Sequence, residues 1–260
     1  MILDDIVRRK HEEIGKIAAP DPAGLPRAER DFRATLGGGR TGVRLIAEVK
    51  QASPSAGLLT TSFNPVAIAR DYEAGGAAAV SVLTDRDFFR GSLADLRNVS
   101  EAISLPVLRK DFVIDERQIH EARSAGAHTV LLIAAILARK TMERFLSEAR
   151  ALGMEPLVEI HDERECDLVL EAGAAIVGIN NRNLRDFRID TGTTRRLAER
   201  LPPDIVVVSE SGVESPPAVA ELVEIADAVL VGTALMKSAD RRGLAEALVR
   251  AGRRGGPEGQ

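Results

Sequence analysis

Eight short apolar runs rich in β-branched residues recur along this chain, and after each the pattern changes to helical spacing. They are Leu45–Lys50, Ala78–Thr84, Pro106–Lys110, His128–Ile133, Glu155–Ile160, Ala175–Asn180, Ile205–Glu210 and Ala228–Gly232. Nearly continuous apolar strands without strict alternation are what a parallel sheet covered on both faces requires. Their starts lie 20 to 33 residues apart, the length of a strand–loop–helix–loop step. Between them, Pro65–Ala74 has proline near its start and Gly75-Gly76 past its end, the usual asymmetry of a helix. Segments 137–152 and 163–172 have helical spacing and stop at Gly153 and Gly173. Eight such repeats predict a closed (β/α)8 barrel, the TIM-barrel architecture. The main rival is an open doubly wound sheet, which usually carries a Gly-rich fingerprint after its first strand. Here that position reads Gln51-Ala-Ser-Pro-Ser, which favours the barrel.

The chain has 260 residues, 45% of them hydrophobic, enough for one large core. Residues 1–44 precede the first strand. Ile2, Leu3, Ile6, Val7, Ile14 and Ile17 repeat at roughly helical spacing among charges, which predicts an amphipathic helix. A break at Pro20–Pro26, a second short helix over Glu29–Leu36 and a flexible entry at Gly37–Gly39 follow. The expected organisation is a single domain over 1–260: a helical extension at 1–44, the barrel at 45–252 and a disordered tail at 253–260. A net charge of −4 argues against a nucleic-acid partner. One cysteine excludes a disulfide framework or a multi-cysteine metal site and fits a reducing cytoplasm. The opening Met-Ile-Leu-Asp-Asp carries acids where a signal peptide has basic residues, and no apolar run reaches the ~20 residues that span a bilayer. A cytoplasmic protein with no membrane partner is expected, with a monomer as the default.

Catalytic groups in such barrels sit at the carboxyl ends of the strands. Those ends carry Glu48 and Lys50, Lys110, Glu159, Asn180 and Arg182, then Glu210 and Ser211. Of 35 basic residues only six are lysine, and two of the six, Lys50 and Lys110, end apolar runs. A structural ion-pair network would account for any one of these charges. Their convergence on one rim favours a functional site, because buried unpaired charge is destabilising. Gly212 after the seventh strand and Gly232-Thr233 after the eighth stand where barrels bind phosphate through backbone N–H groups at short helices. Alone each glycine would be read as a tight turn; Ser53, in a Ser-Pro-Ser turn, could add a hydroxyl. His11, His120, His128 and His161 lack metal-ligand spacing; His161, following Ile160 at a strand end, could face the site, but a solvated helix cap is the commoner reading. Cys166 has no partner pattern and reads as inert, and Ser209 and Ser211 lack the G-x-S-x-G elbow.

The segments Glu48-Val-Lys50-Gln-Ala-Ser53-Pro-Ser, Leu83-Thr-Asp-Arg-Asp-Phe-Phe89-Arg-Gly-Ser and Leu108-Arg-Lys110-Asp-Phe112 resemble the indole-3-glycerol phosphate synthase family. So do Leu157-Val-Glu159-Ile-His, Gly178-Ile-Asn180-Asn-Arg182-Asn-Leu and Ser209-Glu210-Ser211-Gly212. The resemblance runs from about residue 2 to about 250 and covers every strand. It departs at Gln51, where a basic residue is common in the family. It implies a lyase of tryptophan biosynthesis that converts 1-(2-carboxyphenylamino)-1-deoxyribulose 5-phosphate to indole-3-glycerol phosphate, with no redox cofactor or metal. By motif position Lys110 would be the general acid at the ketone and Glu159 the general base, with Asn180 holding a substrate hydroxyl. Lys50, held by Glu48, would bind the carboxylate and could donate a second proton, and Glu210 would set charge. Ser53, Ser211, Gly212, Gly232 and Thr233 would hold phosphate, with Arg182 at the rim. Phe89 and Phe112 would form the slot for the aromatic ring. Lys50 would lower the pKa of Lys110, and Glu159 would stay ionised because the lysines offset its burial.

Two other functions fit a phosphate-binding barrel. A sugar-phosphate isomerase needs a carboxylate paired with Cys or another Asp at strand ends, which the lysine pair fits less well. A barrel that only binds a phosphorylated ligand would not need Lys110 and Glu159 together.

Overall fold

The computed structural model describes residues 2–17, 20–183 and 187–255. Eight parallel strands close on themselves: β1 (Arg44–Val49), β4 (Ala79–Leu83), β5 (Val107–Lys110), β6 (Thr129–Ile133), β7 (Leu157–Ile160), β8 (Ile176–Asn180), β9 (Val206–Glu210) and β10 (Ala228–Val231). β1 pairs with both β4 and β10, and that double pairing closes the ring. β2 (Ala52–Ser53) and β3 (Gly57–Leu58) form a small antiparallel hairpin after β1, where the sequence reads only as a turn.

The helices that alternate with the strands are α3 (Pro65–Ala74), α4 (Arg86–Phe89), α5 (Leu93–Ala102), α6 (Glu116–Ser124), α7 (Arg139–Ala151), α8 (Glu163–Glu171), α9 (Gly192–Ala198), α10 (Pro216–Ala220), α11 (Thr233–Lys237) and α12 (Arg241–Ala251). Their starts are encoded locally. Asn64, Ser92 and Asp162 cap α3, α5 and α8 by accepting from backbone N–H groups one turn in, and Asp115 with Gln118 makes a full capping box on α6. The core has two layers. Ile46, Leu108, Leu131, Leu157, Val208 and Leu230 belong to one buried cluster, while alternate strand residues such as Leu45, Val80, Val130 and Val207 join the helix faces in another. The strands are therefore apolar on both faces, as the sequence pattern requires.

The extension reaches both ends of the barrel. α2 (Phe32–Leu36) starts at its cap Asp31 rather than at Glu29, because the Asp31 carboxylate takes the Ala34 N–H at 3.0 Å. Its Phe32 and Leu36 are buried with the interior cluster. α1 (Ile2–Ile14) is fastened to the carboxyl ends of the strands by Lys10. The Lys10 ammonium, nearly fully buried, lies 2.8 Å from Asp85, 2.9 Å from Asp111 and 2.9 Å from Glu13. Asp111 also takes the Thr84 hydroxyl at 2.5 Å and Arg109 at 3.2 Å. The tail departs from expectation. Val43 N–H donates to the Gly252 carbonyl at 2.7 Å and Arg253 bridges Gly42, so the chain is tied to the first strand's entry as far as Arg253, whereas 256–260 lie outside the described residues. No helix among the described residues is long and apolar enough to cross a membrane.

Although Asp111 is buried, Arg109 and Lys10 hold its carboxyl down to about 2. A carboxyl whose folded pKa is depressed stabilises above its unfolded value, so this contribution is lost as pH falls from about 4 toward 2. Lys10→Met leaves two buried carboxylates short of their cation. It is expected to lower stability by about 3–5 kcal/mol at neutral pH in urea unfolding, and a change under 1 kcal/mol would show the attachment to be marginal.

Candidate active site

The fourteen residues singled out in the sequence line one cavity at the carboxyl end of the barrel, about 1140 Å³ including space open to solvent. They are Glu48, Lys50, Ser53, Phe89, Lys110, Phe112, Glu159, Asn180, Arg182, Glu210, Ser211, Gly212, Gly232 and Thr233. Each comes from the end of a strand or the loop after it, so the parallel ring itself gathers them. Asn180 stands beside Glu210 in the pairing of β8 and β9.

The charges divide into two groups. Lys50 pairs with Glu48 at 2.6 Å. Lys110 lies between two carboxylates, 3.4 Å from Glu159 and 3.5 Å from Glu210. The expected lowering of Lys110 is not the outcome. Burial pulls the Lys110 ammonium down, but Glu159, Glu210 and Glu48 outweigh it and raise its pKa. Burial likewise opposes charge on Glu159, yet Lys110, His161 and Asn180 together hold it below the usual carboxylate range. Glu210 goes the other way. Burial, with the charges of Glu159 and Glu48, pushes it up to about 8 against the pull of Lys110. Its Oε1 has no hydrogen-bond partner, which suits a carboxyl that keeps its proton at neutral pH.

The other side of the mouth is built from backbone turns. Ser211 and Gly212 both have positive φ, 63° and 80°. The Asn181 amide fixes this turn by donating to Ser211 O at 2.9 Å, while its Oδ1 accepts from Thr194 N at 3.0 Å. Gly232 caps α11, and a side chain there would run into the Glu48 carboxylate and come within 3.0 Å of the Lys50 ammonium. Replacing it would disturb the ion pair as well as the turn, so Gly232 is not a pure probe of anion binding. Ser53 accepts from Ala56 N–H at 3.2 Å within the hairpin loop. Arg182 donates to the Phe187 carbonyl at 3.2 Å. Phe89 and Phe112 face each other with ring centroids 6.2 Å apart at 39°.

Sequence reasoning missed part of the wall. Leu3 and Ile6 of α1, Leu131, Ile133 and Leu230 of the strands, and Phe187 also line the cavity. The lysine scarcity that singled out Lys50 and Lys110 applies equally to Lys10, whose partners Asp85 and Asp111 lie just past β4 and β5. His161 is not a solvated cap: its ring is largely buried, 3.2 Å from Glu159 and 3.0 Å from Glu165.

Fold and site define a (β/α)8 barrel whose strand ends carry buried carboxylates and lysines beside two glycine turns. The indole-3-glycerol phosphate synthase family profile matches residues 3–248. An indole-3-glycerol phosphate synthase of Desulfotalea psychrophila is 47% identical over 247 residues, covering 91% of this chain and 94% of that one. The corresponding protein 1 of Streptomyces coelicolor is 42% identical over 259 residues, covering 96% of each. Thiamine phosphate pyrophosphorylase from Pyrococcus furiosus, 17% identical with a TM-score of 0.61 over 82% of this chain and 96% of that one, shares the fold alone. The chain belongs to the indole-3-glycerol phosphate synthase family.

Because the negative charge of Glu159 helps raise Glu210, Glu159→Gln is expected to lower the Glu210 midpoint from about 8. Carboxyl carbon NMR titration reads this, and an unchanged midpoint would show that the two acids do not interact.

Proposed function

We propose that this cavity carries out the reaction of the family, the decarboxylative closure of 1-(2-carboxyphenylamino)-1-deoxyribulose 5-phosphate to indole-3-glycerol phosphate. By family the chain is a lyase of tryptophan biosynthesis that takes a phosphorylated small molecule. The observation that carries the reading is Lys110 between Glu159 and Glu210, beside a separate Lys50–Glu48 pair.

The ring carbon bearing the carboxylate attacks the ribulose ketone, and Lys110 donates a proton to the oxygen as the new carbon–carbon bond forms. A raised ammonium pKa does not prevent this, since the alkoxide developing on the oxygen is a stronger base than an amine. The carboxylate, held at Lys50, leaves as carbon dioxide. The hydroxyl then leaves as water, a second proton coming from a lysine, while Glu159 removes the proton whose loss restores aromaticity. Asn180 donates to Glu159 Oε1 at 3.1 Å and so stands where a substrate hydroxyl meets the base. The turns at Ser211-Gly212 and Gly232-Thr233, with Ser53, take the phosphate, and Arg182 guards the rim. Phe89, Phe112 and the apolar wall take the aromatic ring.

The isomerase alternative fits less well. Cys166 is buried on α8 and is not a lining residue, and Asp111 is bound to Lys10 and Arg109. The acidic net charge of −4 supports a protein without a nucleic-acid partner, and we extend the same reading to a cytoplasmic monomer organised as one domain.

A steady-state assay following indole fluorescence tests the activity, and no signal with the pure substrate would sink it. Glu159→Gln is expected to lose ~10²-fold or more of turnover with binding retained. Lys110→Arg keeps charge but not a releasable proton, so it is expected to bind product and be nearly inactive, as is Lys110→Met. Substantial activity in the Arg variant alone would replace proton donation by simple electrostatic stabilisation.

A further inference from the structure

Behind Glu159 stand two groups, His161 and Glu165, that the proposed reaction does not use. Glu159 Oε2 faces Lys110, while its Oε1 meets Asn180 Nδ2 at 3.1 Å and His161 Nε2 at 3.2 Å. The other ring nitrogen of His161, Nδ1, is 3.0 Å from Glu165 Oε2, and that carboxylate oxygen also accepts the His161 backbone N–H at 2.7 Å. His161 does not line the cavity.

Both ring nitrogens therefore face a carboxylate oxygen. A neutral imidazole carries one proton and would aim a lone pair at one of these anions, whereas an imidazolium offers a proton to each. The Nε2 contact is at ion-pair distance without hydrogen-bond alignment, so it acts mainly through charge. The charges that bear on the ring are Glu159 on its own strand and Glu165 on α8, with Lys110 of β5 beyond Glu159. Asp162 caps α8, Asn180 of β8 is neutral, and the turn Ala134–Ile136, which packs on β7 and α8, is apolar.

We infer that His161 is a positioning residue that stays protonated, held by Glu165, so that its imidazolium anchors Glu159 Oε1 and balances the Glu159 charge when Lys110 gives up its proton. Without it, proton donation by Lys110 would leave a buried anion with no counter-charge, a costly arrangement. The pull of the two carboxylates, which overcomes burial and sets the imidazole at about 10, agrees with this arrangement. The inference rests on the assigned reaction for its kinetic meaning, but the state of the ring can be read without it.

The ring nitrogens of uniformly 15N-histidine-labelled protein, with His161 assigned by its absence in His161→Gln, are expected to show protonation at both positions from pH 6 to 9. A neutral tautomer at pH 7.5 overturns the inference whatever the enzyme catalyses. The second arm uses Glu165→Gln, which keeps an acceptor but removes one charge. It is expected to lower the His161 midpoint by about one unit or more. Turnover number should fall as that midpoint is passed, with the Michaelis constant little changed. In the double variant His161→Gln/Glu165→Gln turnover should be low and should lose that alkaline limb. If the ring titrates lower in Glu165→Gln and turnover does not follow it, the positioning role is wrong. Absence of any indole-forming activity in the unaltered protein would instead refute the assigned reaction and leave the NMR result standing.

Discussion

Pairing of β1 with both β4 and β10 is the constraint on which everything else depends. A parallel strand can meet its neighbour only after a crossover, so each closure step carries a helix outward and returns the chain to the same end of the barrel. All eight strands thus finish on one rim. Lys110, Glu159, Asn180 and Glu210, spread over a hundred residues of chain, become neighbours because each lies at the carboxyl end of its strand, on β5, β7, β8 and β9.

The rim then has to hold several charges away from water. It does so by pairing them in a fixed pattern. Glu48 takes Lys50, while Glu159 and Glu210 share Lys110, and His161 stands behind Glu159 with its own partner Glu165. The two lysines, expected to act on each other's charge, are members of separate pairs. Glu159 and Glu210 are chemically alike and equally buried, yet they diverge. Three partners favour the charged form of Glu159, whereas Glu210 shares a single lysine with it and feels its repulsion. Two carboxyls pushed in opposite directions in this way differ in how readily they hold a proton.

The strands were legible because burial on both faces leaves an unbroken apolar signature, and helix starts were legible where a cap is local, as at Asn64 and Ser92. The rim residues were legible because a charge that ends an apolar strand is carried by the barrel to the same mouth as every other such charge. What escaped was set by partners distant in sequence or by side-chain direction. Lys10 looks like one more charge on an amphipathic helix until Asp85 and Asp111 arrive from the segments just past β4 and β5. His161 sits beside the Asp162 cap, where a solvated position is the ordinary reading, and its ring turns inward instead. The second helix begins at Phe32 and not at Glu29 because Asp31 outcompetes Glu29 as the cap. Arg253 pairs with Gly42 across the whole chain, which local sequence cannot show.

Small residues complete the design of the rim. An added side chain at Gly178 would occupy the place of the Glu210 carboxyl, just as one at Gly232 would occupy that of the Glu48 carboxyl. Neither glycine has positive φ, so backbone freedom does not account for them. They are small because a carboxyl from a neighbouring strand lies against each. At these two strand ends the carboxyl is accommodated because the neighbouring strand has no side chain there. The two rim carboxyls and these glycines are therefore one feature of the sequence, written on different strands.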